Sequence, residues 1–357
     1  VKLGLITPLS SDFPFLGKEF KNGVNLILPE DIHLHEVNVE KGEPNEVLPA
    51  FRKLIVDKEV DIVIGFLDSN ITNTVKGLIT ATQTPCILSG MGTRLPLPKI
   101  ASSPFIFHNT YQIWESCWLA GKYFSQKFGD KYAALTSFFD CGYPQTYACV
   151  QGASGGKTQP QFISITHKDE LDKEWEVTSK NFGEMEPEFT FISYYGKERE
   201  EILGKLSEID FPEERIISSP GIANGYGNIT RLTSWHPELK NKENIEFKEL
   251  YKQKYSKSPS EFSLLGYETI SLILNSIEII NSLDPDKFKE QLLGTTLQGP
   301  RGTISFIQET QSSYCGHYSI LNNEFVKMSY PKEEILLEIN RNTITNQIGW
   351  QNTYLCK

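Results

Sequence analysis

Short apolar runs alternate with helical segments from the first residue, and this alternation constrains the chain more than any other feature. Val1–Thr7 is apolar and ends at Pro8, after which Phe15, Leu16, Phe20, Val24 and Ile27 recur at helical spacing. Ile32–Val39 reads as a strand, and Glu46–Lys58 as a helix with Val47, Phe51, Leu54 and Ile55 on one face. Asp61–Phe66 is a strand, Asn70–Gln83 a helix, and Pro85–Leu88 a strand running into Ser89-Gly90-Met91-Gly92-Thr93. The 61–66 run is apolar throughout, as a strand covered on both faces of a parallel sheet must be. This βαβαβαβ order predicts a doubly wound α/β domain.

After a Pro- and Ser-rich loop (Leu95–Pro104) and the short run Phe105–His108, the alternation restarts. Tyr111–Phe128, Tyr143–Gln151, Leu171–Phe182 and Lys197–Ser207 read as helices between the strands Tyr132–Phe139, Gln161–Thr166, Glu188–Ser193 and Arg215–Ser218. The last third differs: helices Asn244–Tyr255, Ser260–Ser282 and one opened by Asp284-Pro285, then strands Gly302–Phe306 and Tyr314–Leu321. These pieces do not make a third doubly wound domain, so they are expected to return to the first two. A length of 357 residues, at roughly 100–200 per domain, agrees with two.

Lys and Arg number 35 against 45 Asp and Glu, and the resulting net charge of −10 without a basic run argues against nucleic acid or an anionic membrane as partner. The longest apolar run, Ile62–Leu67, is far short of the ~20 residues of a membrane span. The chain opens on a strand without Met, which suggests that a leader has been removed. Six cysteines are too few for a disulfide scaffold and match no zinc spacing. Cys86 and Cys117 sit in apolar contexts and are expected as buried thiols, whereas Cys141, Cys149, Cys315 and Cys356 are open to pairing.

Gly152-Ala153-Ser154-Gly155-Gly156 spells G-x-S-x-G, but a nucleophile elbow needs a strand before the serine and a helix after it, and here the order is reversed. His33 and His35 share a strand face without a third ligand, so neither a metal nor a cofactor is expected. With no paired catalytic carboxylates and no Ser–His–Asp context, the pattern favours a binding protein over an enzyme. In such sheets ligands bind beyond the carboxyl ends of the strands. Those ends carry Thr7-Pro8-Leu9-Ser10-Ser11-Asp12, Leu67-Asp68-Ser69-Asn70, Ser89-Gly90-Met91-Gly92-Thr93, Phe139-Asp140-Cys141-Gly142-Tyr143 and Tyr194-Tyr195-Gly196. Ser69 is expected to cap the helix that follows it. Hydroxyls and backbone N–H groups at helix starts suit a carboxylate.

These ordered segments resemble the extracellular solute-binding proteins of the branched-chain amino acid group, with the type I periplasmic-binding fold. The segments are VKLGLITPLS with FLGKEFKNGVNLIL, VDIVIGFLDSN, TPCILSGMGT, FTFISYYGKEREEIL, FKELYKQKYSKSPSEFSLLGYETISLIL and LQGPRGTISF. The resemblance covers about residues 1–325. It implies that Ser69 and Thr93, with the backbone around Ser89, Gly90 and Gly92, hold a ligand carboxylate. It places Tyr143 and either Tyr194 or Tyr195 in the second lobe's share of the site, and Tyr267 on the long helix facing the cleft. Amino-acid binders of the group carry an acid after the strand corresponding to Ile216–Ser218. This chain has Ser219-Pro220-Gly221-Ile222-Ala223-Asn224 there, leaving Glu268, Asp140 and Asp12 as substitutes.

The resemblance therefore implies two doubly wound α/β lobes with mainly parallel sheets, joined by a three-crossover hinge near 108–111, 234–238 and 304–308. Residues 1–109 and 237–304 are assigned to lobe 1, residues 110–236 and 305–330 to lobe 2, and the tail 331–357 to neither. The expected function is to bind a small polar ligand (an amino acid or related carboxylate or amide) in the interlobe cleft. Hinge closure would then deliver it to the permease of an ABC importer, outside the cytoplasm. The ligand-sensing ectodomain of a receptor and a hydrolase using Ser154 are the alternatives.

Overall fold

The computed structural model of the chain describes residues 1–10, 13–95, 102–138, 142–167, 170–220, 229–321, 324–328 and 331–341. The chain forms two units, one of residues 1–111, 235–316 and 331–357, the other of 112–234 and 317–330. In the first unit run β1 (Lys2–Pro8), α1 (Leu16–Ile27), β2 (His33–Val39), α2 (Pro44–Arg52), β3 (Ile62–Phe66), α3 (Thr72–Thr82), β4 (Cys86–Gly90) and β5 (Ile106–Thr110). The second unit follows with α4 (Ile113–Phe128), β6 (Tyr132–Ser137), α5 (Gly142–Gly152), β7 (Phe162–Thr166), α6 (Leu171–Met185), β8 (Phe189–Ser193), α7 (Gly196–Glu208), β9 (Ile216–Ser218) and β10 (Thr230–Thr233). The chain then returns to the first unit with α8 (Lys242–Tyr255), α9 (Glu261–Ile280), α10 (Pro285–Gly294), β11 (Thr296–Gly299), β12 (Gly302–Ile307) and β13 (Ser312–Tyr314). The second unit gains β14 (His317–Leu321) and β15 (Glu324–Met328), and α11 (Lys332–Arg341) belongs to the first.

The sheet of the first unit has the order β11-β12-β13-β5-β4-β3-β1-β2. Its strands from β2 to β5 are parallel, with β13 parallel to β5 and an antiparallel edge of β11 to β13. All five residues of β3 and all five of β4 are buried, because helices cover both faces. Phe51, Val63, Val75, Ile79 and Leu88 make one continuous core. Each fully buried side chain of that size contributes about 1.5–3 kcal/mol.

In the second unit the order is β15-β14-β10-β9-β8-β6-β7, parallel from β7 to β10 with an antiparallel edge of β14 and β15. The parallel part repeats the strand order of the first unit, with the reversal of winding between β6 and β8 as it is between β1 and β3.

Each unit also brings two helices together on glycines. A Cβ on Gly23 of α1 would stand 2.0 Å from the Ser263 carbonyl oxygen, and one on Gly266 of α9 2.1 Å from that of Phe20. In the second unit a Cβ on Gly121 of α4 would lie 2.0 Å from the Cys149 oxygen, and one on Gly152 of α5 1.9 Å from that of Trp118. Backbone packs directly on backbone at both crossings, and no larger residue fits. A buried network also ties α1 to α8 and α9: Glu19 accepts from Tyr251 (2.7 Å) and Ser260 (3.2 Å) and pairs with Lys257. The helix α9 is long and apolar enough to match a membrane span, but 56 % of that window is buried inside the first unit, where it is the central helix.

The structure departs from the sequence expectations at definite places. The third crossing falls after Gly316 rather than near 304–308, because β12 and β13 pair back to β5 and carry 305–316 into the first unit. A fourth crossing brings the tail helix α11 to that unit. The helix expected over 46–58 ends as α at Arg52 and continues as a π turn, Lys53–Asp57, closed by Lys58 N–H donating to the Lys53 carbonyl at 3.0 Å. Cys86, Cys117, Cys149 and Cys315 are buried free thiols, so Cys149 and Cys315 do not pair; Cys141 and Cys356 lie outside the described residues.

Candidate functional site

The first unit collects polar groups beyond the carboxyl ends of β3 and β4. Leu67 N–H donates to the Ser89 carbonyl (2.7 Å) and Tyr111 N–H to that of Gly90 (2.9 Å), which fixes the end of β4. A Cβ on Gly90 would meet the Leu67 oxygen at 3.0 Å, and Gly92 takes φ +66°, so the loop turns tightly through glycines. This turn delivers Thr93, whose hydroxyl is buried (1 % exposed) and has no hydrogen-bond partner among the described residues. Arg94, 5 % exposed, follows it and adds a positive charge to the loop that the sequence reading did not weigh.

The helical segment facing this end starts as a 3-10 turn, Ser69–Ile71, and continues as α3. Its cap is Asp68, whose carboxylate accepts from Asn70 N–H at 3.1 Å; Ser69 is the first residue inside, not the cap that the sequence suggested. Ser69 stays half-buried, and its hydroxyl makes only a long 3.4 Å contact to Asp68. Ser89 points inward, 0 % exposed, with its hydroxyl 2.7 Å from that of Thr269 on α9. Only its backbone is presented at the strand end.

Two further expected residues have structural partners. Glu268 is 0 % exposed and receives Arg301 Nε (3.0 Å) and Nη2 (2.7 Å) in a two-pronged pair. Arg301 also donates to Asn109 (3.0 Å) and the Thr110 carbonyl (2.7 Å), so the pair locks α9 to β5. Burial raises the Glu268 carboxyl above the ordinary carboxylate range, and Arg301 draws it back. As a substitute for the missing ammonium partner Glu268 is therefore corrected: its oxygens belong to Arg301. Tyr267 is half-buried with its ring centroid 4.8 Å from that of Phe247, so it packs toward α8. Asp12 and Asp140 lie outside the described residues.

The second unit has its own polar end, beyond β6, β8 and β9. Tyr194 is core: 1 % exposed, packed with Ile192 and Ile202, its hydroxyl accepting from Thr166 at 3.0 Å. Tyr195, half-buried, is the one at the strand end, and its hydroxyl donates to Gln145 Oε1 at 2.6 Å. Ser193 donates to the same oxygen at 2.9 Å, and Ser219 donates to the Tyr195 hydroxyl at 3.3 Å. Ser137 donates to Glu198 at 3.0 Å. Tyr143 is 63 % exposed on the first turn of α5 and stacks on Tyr147, centroids 6.2 Å apart. Gln145, Ser193 and Glu198 were not singled out from the sequence. One signal was there: Gln145, Cys149 and Gly152 share a helix face, and a polar residue on a face otherwise built to pack marks a site. The residues around Ser154 run helix, 3-10 turn (Ala153–Gly156), strand, which is not the order of a nucleophile elbow.

The sequence profile described as "Periplasmic binding protein" matches residues 1–154 and 213–314. No curated protein sequence matches the chain. Among solved structures, the fold is similar to an ABC transporter solute-binding protein of Rhodopseudomonas palustris in complex with 3,4-dihydroxybenzoic acid. That likeness has a TM-score of 0.72 at 17 % identity and covers 93 % of this chain and 99 % of that one. It is similar to an ABC transporter substrate-binding protein of Sphaerobacter thermophilus (TM-score 0.77, 15 % identity, 92 % and 96 % covered). It is also similar to a branched-chain amino acid transporter substrate-binding protein of Streptococcus pneumoniae in complex with isoleucine (TM-score 0.69, 16 % identity, 92 % and 99 % covered). The two doubly wound units, the interleaved chain path and the matched profile give one conclusion: the chain belongs to the periplasmic binding protein family.

Proposed function

We propose that this chain binds a small organic acid outside the cytoplasm and hands it to the permease of an ABC importer. The observation that carries the reading is the Thr93 hydroxyl, buried without a partner among the described residues where β4 turns through Gly90 and Gly92. A buried hydroxyl left unpaired costs about 1–3 kcal/mol, which a bound acceptor or donor recovers. The backbone N–H groups at the start of the helical segment at Ser69 favour a negative charge nearby. Two solved structures of similar fold hold 3,4-dihydroxybenzoic acid and isoleucine, and each of these ligands carries a carboxyl group.

The test is a thermal-shift screen of aromatic acids, amino acids and small carboxylates, followed by calorimetry. A ligand at about 100 times its Kd stabilises the native state by about 2.7 kcal/mol. The Ser69→Ala, Thr93→Ala double variant is expected to fold and to lose affinity at least tenfold for any hit. Unchanged affinity in that variant removes this site from the reading.

A further inference from the structure

The polar end of the second unit holds a donor with no acceptor. Gln145, in the first turn of α5, is 0 % exposed, and its side-chain nitrogen has no hydrogen-bond partner among the described residues. Which atom is nitrogen follows from the neighbours. The 2.6 Å contact to the Tyr195 hydroxyl fits an O–H···O bond and is too short for an ordinary N–H···O bond. Ser219 donates into the Tyr195 hydroxyl, which leaves the tyrosine's own proton for Gln145 Oε1. Ser193 supplies a second proton to the same oxygen. Oε1 is thus filled by two hydroxyls, the amide is held against flipping, and both N–H groups of Nε2 stay available.

We propose that Gln145 is the residue by which the second unit selects its ligand, and that the ligand group it reads is an acceptor oxygen of an organic acid rather than an ammonium. The inference rests on the binding reading above and narrows its ligand class. An amide N–H₂ has two protons to donate and accepts none, so it pairs with an acceptor oxygen, a hydroxyl among them, and opposes an ammonium, which also offers only protons. The position agrees with this role, because Ser193, Tyr195 and Ser219 stand at or just beyond the carboxyl ends of β8 and β9, where doubly wound sheets take ligands. The described part of the segment after β9, Ser219-Pro220, carries no acid, and Glu198 already accepts from Ser137. Tyr195 and Ser193 are positioning residues: they fill the amide oxygen and leave its nitrogen to bond the ligand.

The experiment measures affinity by calorimetry for 4-hydroxybenzoate, 4-methylbenzoate and leucine. The first two have similar shape and differ in one oxygen, so the native protein answers without any variant. It is expected to prefer 4-hydroxybenzoate over 4-methylbenzoate at least tenfold, and over leucine by more. Gln145→Leu is expected to abolish the first preference by weakening 4-hydroxybenzoate about tenfold and 4-methylbenzoate less than twofold. Equal affinity of the native protein for the two benzoates overturns the inference and leaves the binding reading standing. A preference for leucine also overturns it. Failure of every acid and amino acid in the broader screen to bind the native protein overturns the binding reading and this inference with it.

Discussion

Neutralising Glu268 tests whether the deepest carboxylate of the first unit serves the fold or the ligand. Glu268→Gln keeps the shape of the side chain and removes its charge, so Arg301 loses two charge-assisted contacts of 3.0 and 2.7 Å. Its bonds to Asn109 and the Thr110 carbonyl remain, but they carry no countercharge. Two hydrogen bonds to a charged group are worth about 3–6 kcal/mol, and leaving one partner of a buried pair alone costs about 3–5 kcal/mol. At about 2–4 °C per kcal/mol, the melting temperature of the first unit should fall by about 10 °C. Replacing both residues, Glu268→Met with Arg301→Met, removes the stranded charge and should recover most of the loss. Differential scanning calorimetry reads the melting temperatures, and titration calorimetry with the strongest hit from the screen reads affinity. The expected result is lower stability, near-native affinity at a temperature where the variant is folded, and recovery in the double variant. A Glu268→Gln protein that melts like the native one and has lost its ligand would refute the structural role.

Four other substitutions have calculable signs. Burial lowers the His108 imidazole from 6.5 to about 4, so between those values the unfolded chain binds a proton that the folded one refuses. Stability is then full above pH 6.5, falls as pH drops toward 4 and levels off below, by about 3 kcal/mol in all. His108→Gln should lose about 2–3 kcal/mol less than the native protein between pH 7.5 and 4.5 by urea denaturation, and parallel profiles would refute the assignment. Gly266→Ala, stabilising by about 1 kcal/mol in an exposed helix, should destabilise here by more than about 1 kcal/mol, because its Cβ must part α1 from α9; a raised melting temperature would show that the crossing yields. Asp68→Ala should cost about 1 kcal/mol as a lost cap and Ser69→Ala only a few tenths, and the reverse order in chemical denaturation would restore the cap to Ser69.

Strand and helix periodicity made the parallel cores legible. Runs such as Ile62–Phe66 and Cys86–Gly90 are uniformly apolar because both of their faces are covered. The edges were harder. Thr296–Gly299 alternates exposed and half-buried residues up to its last position, and Glu324–Met328 is mostly exposed, so neither carries an apolar signal. The third crossing was misplaced for a related reason, since β12 and β13 look alike to a periodicity argument whichever sheet they join. Among site residues, the position of Thr93 in a glycine turn was visible, but the direction of the Ser89 side chain was not. In a strand with both faces buried, alternation no longer tells inside from outside. Tyr194 and Tyr195 show the same limit at one-residue resolution: adjacent residues leave a strand on opposite sides, and only the packing of Tyr194 against Ile202 tells which one is core. Gln145 was passed over because a single polar residue in an amphipathic helix is unremarkable until its nitrogen is found without a partner.

The interleaved chain path also bears on how the protein is made. The β5 edge of the first sheet has no neighbour until Ser312 arrives to pair with His108, and β10 waits for Ser319 and Ile320 of β14. At about 5–20 residues per second of synthesis, the roughly 200 intervening residues leave the β5 edge open for about 10–40 s. An open edge is a template for pairing with another chain. Neither unit completes its sheet until β13 and β15 have been made, so a ribosome-bound chain carries open edges in need of shielding through both intervals.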